Sequence, residues 1–182
     1  MKKLILILSL LAVAGMAHSQ ESRTEVTKST SASDDSKPNS DAVPEAYAIN
    51  GKFERVVIVR LKYQADLLAG LESVVKKEKI RNGVILSAVG SVRGYQYHTV
   101  NNRTFPSKDV FVKNPTAPAD LVSMNGYVID GRIHAHAMFA NPNRAFGGHL
   151  EPGTEVFTFA AVTIGVLSDK TDLSKVDDKT YR

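Results

Sequence analysis

The stretch "LVSMNGYVIDGRIHAHAMF" (Leu121–Phe139) decides how the chain folds. Asp130-Gly131 at its middle is a two-residue turn signal, and the runs on either side read as the two strands of a hairpin. Along an extended strand, side chains two apart point the same way. Ile133, Ala135 and Ala137 therefore share one face, while Arg132, His134, His136 and Met138 share the other. The apolar face is the one to pack, which leaves two imidazoles side by side on the opposite face.

The next residues, "NPNRAFGGHL" (Asn141–Leu150), add a third imidazole. Asn141-Pro142 marks a turn, and Gly147-Gly148 permits a sharp bend or a close backbone approach just before His149. Three of the five histidines thus fall between His134 and His149. Neutral imidazoles can grip one divalent cation at ~2.0–2.1 Å per nitrogen, and a three-histidine set leaves a fourth position for water or substrate. The chain has no cysteine, so any metal must be held by imidazole, carboxylate or backbone oxygen. This donor set suits zinc, with nickel, cobalt and iron also compatible. The competing reading is a polar sheet face whose histidines bond to backbone or solvent. The Gly-Gly-His and the scarcity of histidine elsewhere favour the metal set His134, His136 and His149. His98, in "YQYHTV", reads as a strand-face or partly buried residue rather than a fourth ligand.

Three further groups are candidates for catalysis. Arg132, on the histidine face, can hold a carboxylate or phosphate by its fork. Glu151 and Glu155 follow His149 closely enough to shuttle a proton or to add a ligand. An Arg at a strand start and a Glu in a Pro-Gly turn are, equally, ordinary solvated surface groups.

Elsewhere, "FERVVIVRLKY" (Phe53–Tyr63) is rich in β-branched residues and predicts a strand. From Asp66 to Lys79, Leu67, Leu68, Leu71, Val74 and Val75 recur at helical spacing, with Asp66 as N-cap and lysines at the far end. "NGVILSAVGSVRGYQYHTV" (Asn82–Val100) predicts two strands broken near Gly90 to Gly94, and "EVFTFAAVTIGVL" (Glu155–Leu167) a last strand. One principal helix among six or seven strands predicts an α+β domain on a mostly antiparallel sheet.

The ends differ in composition from this domain. "MKKLILILSLLAVAGMAHS" has two lysines, an apolar run too short to span a bilayer and small residues at its end, so residues 1–19 read as a cleaved signal peptide. The mature protein is then expected in the periplasm or outside the cell, without a transmembrane anchor. Residues 20–45 are rich in Ser, Thr, Asp and Lys and read as a disordered linker, residues 46–168 as the domain, and residues 169–182 as a loosely held polar tail. Lys2 and Lys3 carry two of the formal +4, and the linker has three basic against six acidic residues, so the chain from Ala46 onward carries +5. That is modest for phosphate binding, which makes a nucleic-acid partner the less favoured reading.

Segments "RVVIVRLKYQADLLAGLESVVKKEKIRNGVILSAVGSV", "ADLVSMNGYVIDGRIHAHAMFA" and "AFGGHLEPGTEVFTFAAVTIGVL" together resemble the plants-and-prokaryotes conserved (PPC) domain over roughly Phe53 to Leu167. The resemblance implies a central, mostly antiparallel sheet, a fold similar to that of acetolactate decarboxylase, homotrimers, and zinc on His134, His136 and His149. Plant members join the domain to an AT-hook and bind DNA. This chain has no Arg-Gly-Arg-Pro hook, and its basic run "KKEK" lies at a helix end. Three functions remain open: an exported zinc module that binds a small ligand or partner, a metal-dependent lyase or hydrolase, and a DNA-binding protein.

Overall fold

The computed structural model describes residues 23–29 and 37–176. The signal-peptide reading and the last six residues lie outside them. In chain order the elements are β1 (Thr24–Ser29), β2 (Phe53–Lys62), α1 (Leu67–Lys77), β3 (Gly83–Val100), β4 (Lys108–Asn114), β5 (Ala119–Ile129), β6 (Arg132–Asn141), β7 (Arg144–Leu150) and β8 (Glu155–Leu167). All named strand pairings are antiparallel, and α1 is the one helix among the described residues. This is the α+β architecture expected.

Asp66 caps α1 as predicted, its Oδ1 accepting from Ala69 N at 2.8 Å. Its other oxygen accepts from Gly153 N at 2.6 Å, tying the helix start to the turn before β8. Leu67, Leu71 and Val75, four apart, form the buried stripe and pack in one core with Val59, Leu61, Ala160, Val162 and Ile164 of β2 and β8. The helix covers that side of the sheet. On the other side the even residues of β2 stay open, with Ile58 72% and Val56 56% exposed.

Strand β3 organises the rest. Residues 83–94 pair with β8 on one edge, residues 83–92 pair with β5, and residues 95–100 pair with β4. It is one strand of 18 residues, not the two predicted: register shifts around Gly90, Val92 and Gly94 absorb the irregularity that the glycines signal. β5 then pairs with β6, β6 with β7, and β7 returns to β3 through Tyr97–Leu150 and His98–His149. Where these strands meet, Tyr95, Phe139 and Phe146 pack with ring centroids 4.7–5.9 Å apart.

Two predicted features are corrected. Thr24–Ser29, assigned to a disordered linker, is an edge strand on β4, running in register from Thr24–Lys113 to Ser29–Lys108. All six residues are exposed, so backbone pairing rather than burial holds them, a pattern that hydrophobicity does not report. The tail from Asp169 to Val176 is not loose either. Leu173 is buried with Ile129 and Leu167, and Asn82 Nδ2 donates to Thr171 O at 2.7 Å.

Candidate metal centre

The turn at Asp130-Gly131 sets the register of β6 against β5, with His134 opposite Tyr127 and His136 opposite Asn125. The expected alternation holds: Ala135, Ala137 and Phe139 are buried, and His136 and Met138 are exposed. The predicted return segment is itself a strand, β7, which places His149 directly opposite His136. Its glycines are a steric requirement. A Cβ at Gly147 would stand 2.0 Å from Ala137 O, and one at Gly148 would stand 2.3 Å from His98 O. β7 can enter the space between β6 and β3 only without side chains at these two positions.

The three imidazoles converge. His134 and His149 have ring centroids 4.7 Å apart, His136 and His149 5.4 Å, and His134 and His136 5.6 Å. One ligand atom from each lies within 4.8 Å of the other two. A tetrahedral ion at ~2.0–2.1 Å per nitrogen needs nitrogens roughly 3.3 Å apart, a gap that rotation of the rings closes. Partial desolvation, and then the neighbouring His134 and His98, hold the His136 pKa below the usual imidazole range. That keeps its lone pair free at neutral pH, as a metal ligand requires. The residues present therefore fit a divalent transition ion.

His134 and His136 also line a cleft of 450 Å³, walled by Val84, Ile85, Leu86, Tyr127 and Val176 with Asn125 and Gly126. No Lys, Arg, Asp or Glu lines it among the described residues. Arg132 is not brought to it. That side chain lines a separate groove with Lys76, Lys79 and Arg81 near the end of α1. Glu155 is engaged elsewhere too, 3.6 Å from Arg93 Nε, and Arg93 Nη1 donates to Tyr63 Oη at 2.6 Å.

Glu151 is close to the histidines, but through a partner that sequence reasoning set aside. Its Oε1 lies 2.6 Å from Nδ1 of His98, which stacks on His149 with centroids 4.5 Å apart. The His98–His149 pairing joins strands 51 residues apart in the chain, and no local pattern announces it.

Residues 48–168 match the Plants and Prokaryotes Conserved (PCC) domain. The chain belongs to this family. Its fold is similar to that of a PPC protein from Pyrococcus horikoshii, at 22% identity and a TM-score of 0.57 over 69% of this chain and 87% of that one. A metal-containing protein from Archaeoglobus fulgidus is similar at 22% identity and a TM-score of 0.56, over 69% of this chain and 89% of that one. A Bacteroides thetaiotaomicron protein, for which DNA binding has been suggested, is 16% identical with a TM-score of 0.52, over 65% of this PCC chain and 85% of that one. Among curated proteins, the bifunctional protein GlmU of a Synechococcus strain is 26% identical over 111 residues, 60% of this chain. The PCC chain spans only 17% of that protein's length.

Proposed function

We propose that this PCC-domain protein is an exported, homotrimeric metal module. His134, His136 and His149 hold one zinc ion whose remaining position takes a small ligand or a group from a partner. The observation that carries this is the convergence of three imidazole donors from β6 and β7 within 4.8 Å, beside the apolar cleft. A bound zinc supplies a Lewis-acidic point at the end of an otherwise apolar surface. The cleft walls can grip apolar parts of a ligand, and Asn125 and Tyr127 offer polar atoms for orientation. Without a charged acid or base among the described walls, binding is favoured over lyase or hydrolase turnover. The similar Archaeoglobus protein is metal-containing, which agrees with a metal at this site.

The N-terminal sequence supports export, and the family resemblance together with the uncovered apolar face of β2 and its neighbours supports self-association. No helix among the described residues is long and apolar enough to cross a membrane. The test is elemental analysis of the purified mature protein. It should carry about one zinc per chain, and His134→Ala with His136→Ala and His149→Ala should reduce this to background. Unchanged metal content in that triple variant would overturn the reading.

DNA binding is the second reading. The groove lined by Lys76, Lys79, Arg81 and Arg132 favours it, although Glu72 and Asp130 line it too and Arg81 is paired with Asp130 at 3.0 Å. A gel shift of duplex DNA that weakens steeply with salt would support it over the metal module.

A further inference from the structure

His149 has imidazole neighbours on both sides. Across β7–β6 it faces His136, and across β7–β3 it faces His98. His98, His149 and Glu151 also each offer one ligand atom, all within 4.8 Å of one another. This second trio is held firmly. Glu151 N donates to Gln96 O at 3.1 Å, Thr154 Oγ1 donates to the same carbonyl at 3.1 Å, and Gln96 N donates to Thr154 Oγ1 at 3.0 Å. Thr154 is fully buried, so the turn carrying Glu151 is fixed to β3 two residues before His98. The side chains of His98 and Glu151 are 23% and 21% exposed, and an ion held between them replaces the 2.6 Å contact of His98 Nδ1 with Glu151 Oε1.

We propose that His98, His149 and Glu151 form a second cation position, alternative to the one formed by His134, His136 and His149. The proposal rests on His149 being a ligand of the first. A neutral imidazole has one nitrogen with a free lone pair, the other carrying the proton. His149 therefore serves one position at a time, and each chain holds one ion that has two places to sit. The two places differ in chemistry. The first offers three neutral nitrogens, while the second offers two nitrogens and a carboxylate whose negative charge is partly withdrawn from water. Two histidines and one carboxylate is a donor set suited to iron(II), and the carboxylate oxygen adds tolerance for manganese(II). The second position is thus the more favourable of the two for these oxygen-tolerant ions.

The experiment is a competition titration of zinc(II) and cobalt(II) against a chelating dye, on metal-stripped mature protein. It uses wild type, His134→Ala/His136→Ala, His98→Gln/Glu151→Gln, and the variant carrying all four changes. Circular dichroism and melting curves confirm that each remains folded. The first double variant should still bind one ion, more than tenfold tighter than the fourfold variant and with a cobalt spectrum unlike wild type. Wild type should bind one ion in total. If the first double variant binds no better than the fourfold variant while His98→Gln/Glu151→Gln binds as wild type, the second position does not exist and the three-histidine reading stands. If wild type itself binds no better than the fourfold variant, both fall. Two ions per wild-type chain would overturn the exclusivity. Should the first double variant be unfolded, the readout becomes the cobalt spectrum of wild type against His98→Gln/Glu151→Gln at sub-stoichiometric metal, and identical spectra overturn the proposal.

Discussion

Gly147 stands against Ala137 O with no room for a methyl group. Gly147→Ala must push β7 away from β6, and overpacking of this kind costs about 1–3 kcal/mol. Urea unfolding should register that loss, and the displaced His149 should lower zinc content at the same time. His136 leads to a prediction for the metal-free protein. Its folded pKa lies below the ordinary value. As pH falls, the unfolded chain therefore takes up a proton first, near the usual imidazole pKa of about 6.5. Stability contributed by His136 is present above that pH and is lost progressively as pH drops toward the lower folded value. Melting temperatures between pH 7.5 and 5 should fall less steeply in His136→Gln than in wild type. At this scale much of the site was legible. Period-two alternation put His134 and His136 on one face, and Gly-Gly-His brought His149 into the set. The roles first suggested for Arg132 and Glu155 depended on neighbours in space, Lys79 and Arg81 for one and Arg93 for the other, which no local spacing reveals.

Among the elements, those with a large apolar signal were readable and the weakly patterned ones were not. α1 has a helical stripe and a capping Asp, and β8 is nearly all apolar. β7 has two glycines in seven residues, which depress strand propensity although its position demands them. β4 carries a short "VFV" run among polar residues, and β1 buries nothing. Such an edge strand opens at little cost. In native-state hydrogen exchange, amides of Thr24–Ser29 should exchange much faster than those of β3, whose both edges are paired. Removing the chain up to Ser36 should change the melting temperature by only about 1–2 °C, consistent with an effect well under 1 kcal/mol. A larger loss would show that β1 contributes more than backbone pairing.

For the whole molecule, the fold leaves one side of β2 and its neighbours without a helix to cover it. Ile58, Val56 and Val89 are 72%, 56% and 55% exposed, and Phe159 is 40% exposed. Grouped apolar exposure of this kind is the candidate contact face for the proposed trimer. Light scattering after gel filtration should report a mass of three chains for the mature protein and of one chain for Ile58→Asp. Unaltered mass in that variant would place the contact elsewhere. The sequence could not supply this surface, because the same alternation describes a strand face turned to water and one turned to another copy. β7 meets β3 through two residue pairs, and one of them is His98 with His149. An ion held by His149, as proposed, would rivet this two-pair join between the described strands. Stripping it should let that join breathe first, so that loading state and mechanical integrity are read out by the same few amides.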